Sequence, residues 1–251
     1  MTSIADSVSL KREAKEFVDH LNNTVSQVLP GRHLKFRTQI ATKGKKVASP
    51  NVLVSIPIFK NSVRPNVISL KAKGDSRIQL YIRATFHCRW STNNKYLAIE
   101  KSSFALYYKG ESQNPLFRYE YEIKNSQLLP NAHIHVHAHR DEIVWIKGKS
   151  PRRKDLDPLL SQVHFPVGGD RFRPCFEDFL SLIIEEFGVK TKPGYKKVLS
   201  QGRAQWRELQ LKAAVRDNPK IAAQVLEDLG LWGIDLSKIK HEKRMAKLES
   251  L

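Results

Sequence analysis

One segment of the 251-residue chain stands apart by its chemistry: Asn131-Ala-His133-Ile-His135-Val-His137-Ala-His139-Arg140. Alternate side chains of an extended strand share a face, so all four imidazoles project to one side, roughly 6.5–7 Å from one to the next. Ile134, Val136 and Ala138 then face the other side. Such a row makes a poor core and an odd surface. Three kinds of chemistry fit it. Adjacent imidazoles can share one transition-metal ion such as zinc, with His135, His137 and His139 as ligands and His164 or a carboxylate completing the set. Alternatively, His133, His135 and His137 act as general acid and base in metal-independent RNA cleavage. One would take the 2′-hydroxyl proton and another would protonate the leaving 5′-oxygen, with Arg or Lys stabilising the charge on the phosphorus oxygens. An imidazole titrates near neutrality, as both roles require. In the third reading the histidines are half-buried hydrogen-bonding residues that pack a sheet. The sequence reading adopted is acid/base chemistry without a cofactor; metal binding and a structural role stay open beside it.

Phosphate chemistry needs cations, and the chain supplies them unevenly. There are 43 Lys and Arg against 25 Asp and Glu, a formal charge of +18. Residues 31–125 carry +13 and residues 190–251 carry +7, while residues 1–30 and 126–189 are each −1. Between His20 and Ile99 the only carboxylate is Asp75. So one-sided a stretch creates a positive field that attracts polyanions, RNA or DNA, with RNA favoured by the histidine chemistry. Candidate phosphate contacts are Lys45 and Lys46 at a basic loop tip, Arg152 and Arg153 in the Gly148–Asp157 loop, and His164, Arg171 and Arg173. The last two lie in Gly168-Gly169-Asp170-Arg171-Phe172-Arg173, a tight loop feeding a helix N-terminus at Pro174, where exposed N–H groups can hold an anion. No Gly-Lys-Ser/Thr follows, so this is not a P-loop, and an ordinary strand-to-helix turn reads equally well.

The elements that must position these residues follow from periodicity. Leu10, Ala14, Phe17, Val18, Leu21, Val25 and Val28 recur at helical spacing and Pro30-Gly31 closes the run, predicting a helix over 3–28. From Leu34 to Ile146 the pattern turns to period two, in Leu34–Ile40, Asn51–Phe59, Ile78–Phe86, Phe104–Tyr108 and Phe117–Ile123, with turn-rich breaks between. A largely antiparallel sheet of six to eight strands is expected. A helix over 174–187 follows the His-rich strand, with Gly188 just past its end. Residues 194–229 read as helix again, broken in two at Asn218-Pro219. There Lys196, Lys197, Arg203, Arg207, Lys212 and Arg216 oppose an apolar stripe of Val198, Trp206, Leu209 and Ala213, continued by Ile221, Val225 and Leu229. The tyrosines and Trp90 among the basic residues could stack on bases, although core packing is the commoner use of such side chains. The expected class is α+β, a mainly antiparallel sheet with an N-terminal helix and a packed helix after the His-rich strand. The expected division is a basic domain over 1–190 and a helical C-terminal extension over 191–251.

The order Phe117-Arg118-Tyr119-Glu120-Tyr121, a Pro130 turn, His133-x-His135-x-His137, then an acidic-apolar helix around Glu177-Asp178-Phe179-Leu180, resembles the TumE-like toxins of bacterial type II toxin–antitoxin systems over residues 100–187. The resemblance implies a toxin acting on RNA or translation and neutralised by a cognate antitoxin protein. Composition sets the remaining bounds. Hydrophobic content of 41% and charged content of 27% exclude a disordered or collagen-like chain. No window approaches about eighteen consecutive apolar residues, so no membrane partner is expected. Cys88 and Cys175 are too few for a disulfide scaffold and too isolated for a zinc knuckle. The residues MTSIADSVSLKREAKEF lack an apolar core of signal-peptide length, and a cytoplasmic setting is the expectation. A non-catalytic nucleic-acid-binding or regulatory protein with structural histidines and a metal-dependent hydrolase are the alternatives.

Overall fold

The apolar stripe at Leu10, Ala14, Val18, Leu21, Val25 and Val28 is buried along one side of α1 (Ile4–Val28). Eight strands follow: β1 (Arg37–Ala41), β2 (Asn51–Ser55), β3 (Ile68–Lys71), β4 (Gln79–Trp90), β5 (Leu97–Tyr108), β6 (Phe117–Glu122), β7 (Ala132–Val136) and β8 (Phe165–Pro166). Four described helices come after them, α2 (Gly169–Phe172), α3 (Phe176–Phe187), α4 (Tyr195–Asp217) and α5 (Pro219–Asp228). The structure, a computed structural model, describes residues 4–33, 35–41, 51–55, 67–73, 79–91, 96–108, 114–123, 129–138, 160, 165–231 and 233. Among them no helix is long and apolar enough to cross a membrane.

The strands form an antiparallel sheet in the order β1-β2-β4-β5-β6-β7-β8. The short strands β2 and β3 share one edge of the long strand β4, end to end. Val52–Ser55 lies opposite Cys88–Thr85, and Ile68–Lys71 opposite Ile82–Gln79. Arg83 and Ala84 therefore sit at the joint. Alternation gives β4 and β5 one apolar face, Leu80, Ile82, Ala84, Phe86, Phe104 and Leu106, which α1 and α3 cover. Rings from both layers meet there, Phe17 against Phe86 at 4.9 Å between centroids and Phe104 against Phe176 at 5.7 Å. Each such pair is worth about 0.5–1.5 kcal/mol beyond its area. The α+β class expected from strands followed by helices is the class observed. Helix α4 is seated on α1 and α3 and adds Leu199 to this core.

Three sequence expectations are corrected. The helix after the His-rich strand starts at Phe176 rather than Pro174. Cys175 is extended (φ −88°, ψ 179°) and takes the N-cap, its N–H donating to the Asp178 carboxylate at 3.0 Å. The segment before it is not a simple turn. It holds the four-residue helix α2, whose N-cap Gly168 (φ 64°) must be glycine, because a Cβ would lie 2.1 Å from the Phe172 carbonyl oxygen. On α4 the faces differ from the expected ones: Arg203 is buried and Leu209 is 58% exposed. The reason lies on α3, where Asp178 and Ser181 offer the Arg203 guanidinium partners at 2.5 and 2.7 Å. The stripe Ile221, Val225 and Leu229 is exposed on α5. The break at Asn218-Pro219 falls where expected, with Pro219 opening α5.

Candidate functional site

Strands β6 and β7 form the hairpin that builds the site. Its register sets Arg118 opposite His135, Tyr119 opposite Ile134, and Glu120 opposite His133. Because side chains alternate, Phe117, Tyr119 and Tyr121 go to the helix-covered face, where Phe117 and Tyr119 meet Phe179 at 5.9 and 6.2 Å. Arg118 and Glu120 go to the opposite face with His133 and His135. The ladder continues one bond past β7, from the His137 N–H to the Leu116 carbonyl, so His137 follows its neighbours.

The sequence expectation that these imidazoles would make a poor core is only half met: His133 is 3% and His135 6% exposed. Their burial is matched by polar contacts. His133 Nδ1 lies 2.8 Å from the Pro130 carbonyl oxygen, which can only accept, so this nitrogen carries the proton. His133 Nε2 then faces Glu120 Oε2 at 3.7 Å, and His135 Nε2 lies 3.1 Å from the same oxygen. Arg118 Nη2 adds a third contact to it at 3.0 Å. Burial opposes the charged form of Glu120. The two imidazoles and the Arg118 guanidinium outweigh it and hold the carboxyl far below the usual carboxylate range. For His137, partial burial and then the neighbouring Arg118 and His135 push its imidazole below the ordinary 6.5. Its Nε2 is buried and has no hydrogen-bond partner among the described residues.

Two kinds of chemistry are open to this arrangement. An ionised carboxylate against two imidazoles and an arginine is a proton-handling network. The same Glu120, His133 and His135 each offer one ligand atom, and these atoms lie within 4.8 Å of one another, a two-histidine, one-carboxylate set that suits zinc or a related ion. This differs from the His135, His137 and His139 set expected from sequence, because the register brings in Glu120 from β6.

The other expected site residues are dispersed. Arg171 pairs with Asp217 at the end of α4, at 2.6 Å. Arg173 is 7% exposed, its guanidinium 3.6 Å over the Tyr121 ring and 5.0 Å from Trp206, on the helix-covered face. His139, His164, Lys45, Lys46, Arg152 and Arg153 lie outside the described residues. Sequence reasoning missed Glu120, Arg118 and Arg83 as members of the site face. The signal available for the first two was the hairpin itself, two alternating segments joined across Pro130. Both cysteines are buried, which pushes the Cys88 thiol up to about 12 and raises Cys175 as well, so neither is a nucleophile near neutrality. Comparison with known protein families, curated proteins and solved structures finds no match.

Proposed function

We propose that the protein binds RNA and cleaves it without a metal, using the imidazoles of this sheet face as general base and acid. The observation that carries the reading is the hairpin register: it places Glu120 and Arg118 on the face of His133, His135 and His137. In the proposed step His137 Nε2 takes the 2′-hydroxyl proton as O2′ bonds to phosphorus. The P–O5′ bond breaks, and the His135–Glu120 pair supplies a proton to the leaving oxygen. The products are a 2′,3′-cyclic phosphate and a 5′-hydroxyl, and Arg118 offsets the charge that builds on the phosphoryl oxygens. The net charge of +18 favours a polyanionic substrate. The TumE-like pattern in residues 100–187 points the same way, and on that reading a cognate antitoxin partner is expected.

The test is RNA cleavage by untagged protein, with and without EDTA, beside His137→Ala and Glu120→Gln. Cleavage indifferent to EDTA, yielding cyclic-phosphate ends and falling about 10²–10⁴-fold in His137→Ala, is the expected result. Equal rates in wild type and His137→Ala would end the acid/base assignment. A second reading, a metal-dependent hydrolase, is favoured by the proximity of the Glu120, His133 and His135 ligand atoms. EDTA-sensitive cleavage restored by zinc or manganese would select it.

A further inference from the structure

The register rows crossing the site face continue beyond the hairpin. Arg83 on β4 lies opposite Ala105 on β5, Ala105 opposite Arg118 on β6, and Arg118 opposite His135 on β7. Two arginines thus flank the smallest side chain in the row, their backbones about 10 Å apart across two strand spacings. Side chains of that length can converge over Ala105.

Charge accounting separates Arg83 from the other cations of β4 to β6. Glu100 is matched by Arg89, Glu122 by Lys101 at 2.9 Å and Glu120 by Arg118. Arg83 makes no ion pair with any described residue; its guanidinium lies 5.0 Å from the Tyr107 ring. Buried polar atoms point to the same place. Five side-chain N or O atoms among the described residues are buried without a hydrogen-bond partner, and three of them are Arg83 Nε, Arg118 Nε and His137 Nε2. Buried polar atoms are ordinarily satisfied; the two guanidinium donors on one face call for an acceptor-rich anion, while the His137 Nε2 lone pair beside them is left to take a proton. The Arg118 side chain keeps 33% of its exposure, so solvent reaches the row there.

Resting on the ribonuclease reading, we propose that Arg83 and Arg118 form an oxyanion cradle over Ala105 that holds an internal phosphodiester of single-stranded RNA, with His137 at its rim. The guanidinium forks suit paired phosphate oxygens, and Tyr107 holds the Arg83 group in place from below.

The cradle is tested by binding. Fluorescence anisotropy with a ten-nucleotide single-stranded RNA, with and without a 5′-phosphate, is compared for wild type, Arg83→Gln, Arg83→Lys and the remote surface variant Arg12→Gln. Arg83→Gln is expected to weaken binding about tenfold and to flatten the dependence of log K on log[salt] by about 0.7, the share of one phosphate. Arg83→Lys keeps the charge and loses the fork; it should retain the salt slope with an affinity between the two, and it carries the test if Arg83→Gln does not fold. Arg12→Gln should stay within about twofold of wild type. Wild-type affinity and slope in Arg83→Gln would overturn the cradle, as would binding that requires the 5′-phosphate. The two proposals fail separately: RNA bound through Arg83 but never cleaved removes the ribonuclease and leaves the cradle, whereas cleavage and binding indifferent to Arg83→Gln do the reverse.

Discussion

Single carboxylates tie together much of what surrounds them. Asp178 accepts the Cys175 N–H that caps α3 and also pairs with the buried Arg203 guanidinium of α4. Removing the cation leaves that carboxylate with a cap to hold and no counter-charge. Arg203→Ala should therefore cost about 2–4 kcal/mol in denaturant unfolding. The double variant Arg203→Ala/Asp178→Asn should recover part of that loss, because Asn keeps the cap without a stranded charge; a cost for the single variant below about 0.5 kcal/mol would dismiss the clamp. Nothing in the sequence marks Arg203 as different from Arg207 or Lys212. A cation in a helix reads as a solvated residue, and its partners sit on another helix. The same limit hid Arg83, whose relation to Arg118 exists only through the pairing of three strands. The histidines were legible because period two is a local property, and Glu120 was within reach because the hairpin is local too.

At the level of elements, α1 and α3 are joined by His20 Nε2 and Glu177 Oε1 at 3.0 Å, and Glu177 is 4% exposed. Behind it Gly202 of α4 is so close that a Cβ would lie 2.6 Å from the same oxygen. The Glu177 hydrogen bond and charge raise His20 above its ordinary 6.5, against the opposing effect of burial. A raised imidazole stabilises the fold fully below pH 6.5, and the contribution disappears as pH climbs through the folded value. The melting temperature of the wild type should thus fall from pH 6 to pH 8 by more than that of His20→Gln. Gly202→Ala should lower stability and abolish this difference together, since its methyl group displaces the carboxylate. Parallel pH profiles for wild type and His20→Gln would show that the contact contributes nothing. The α1 stripe was legible residue by residue; this crossing was not, since 157 positions separate the two groups. Strand β3 escaped notice for a different reason, its four residues being too short to establish a period.

For the molecule as a whole, α1 and α3 pack on one face of the sheet and the polar rows of β4 to β7 lie on the other. That asymmetry separates a face built for packing from a face built for charge. If the latter meets RNA, the affinity must fall steeply with salt. A slope of log K against log[salt] of about −2 to −4, the release expected from some three to six phosphates, should appear in the anisotropy titration, and a flat line would remove RNA from the reading. The class and the layering followed from strand and helix periods alone, whereas the order of strands did not, because β2 and β3 share an edge of β4 that no local pattern announces. The crossing of α1 onto α3 and α4 also has a consequence during synthesis. At about 5–20 residues per second the ribosome needs roughly 8–30 s to travel from His20 to Glu177. For that interval the α1 stripe has only the strands of the sheet to lie against, and the side that α3 and α4 cover stays open. The newborn chain is thus a client for whatever shields exposed apolar surface at the ribosome exit, until α3 and α4 close over α1.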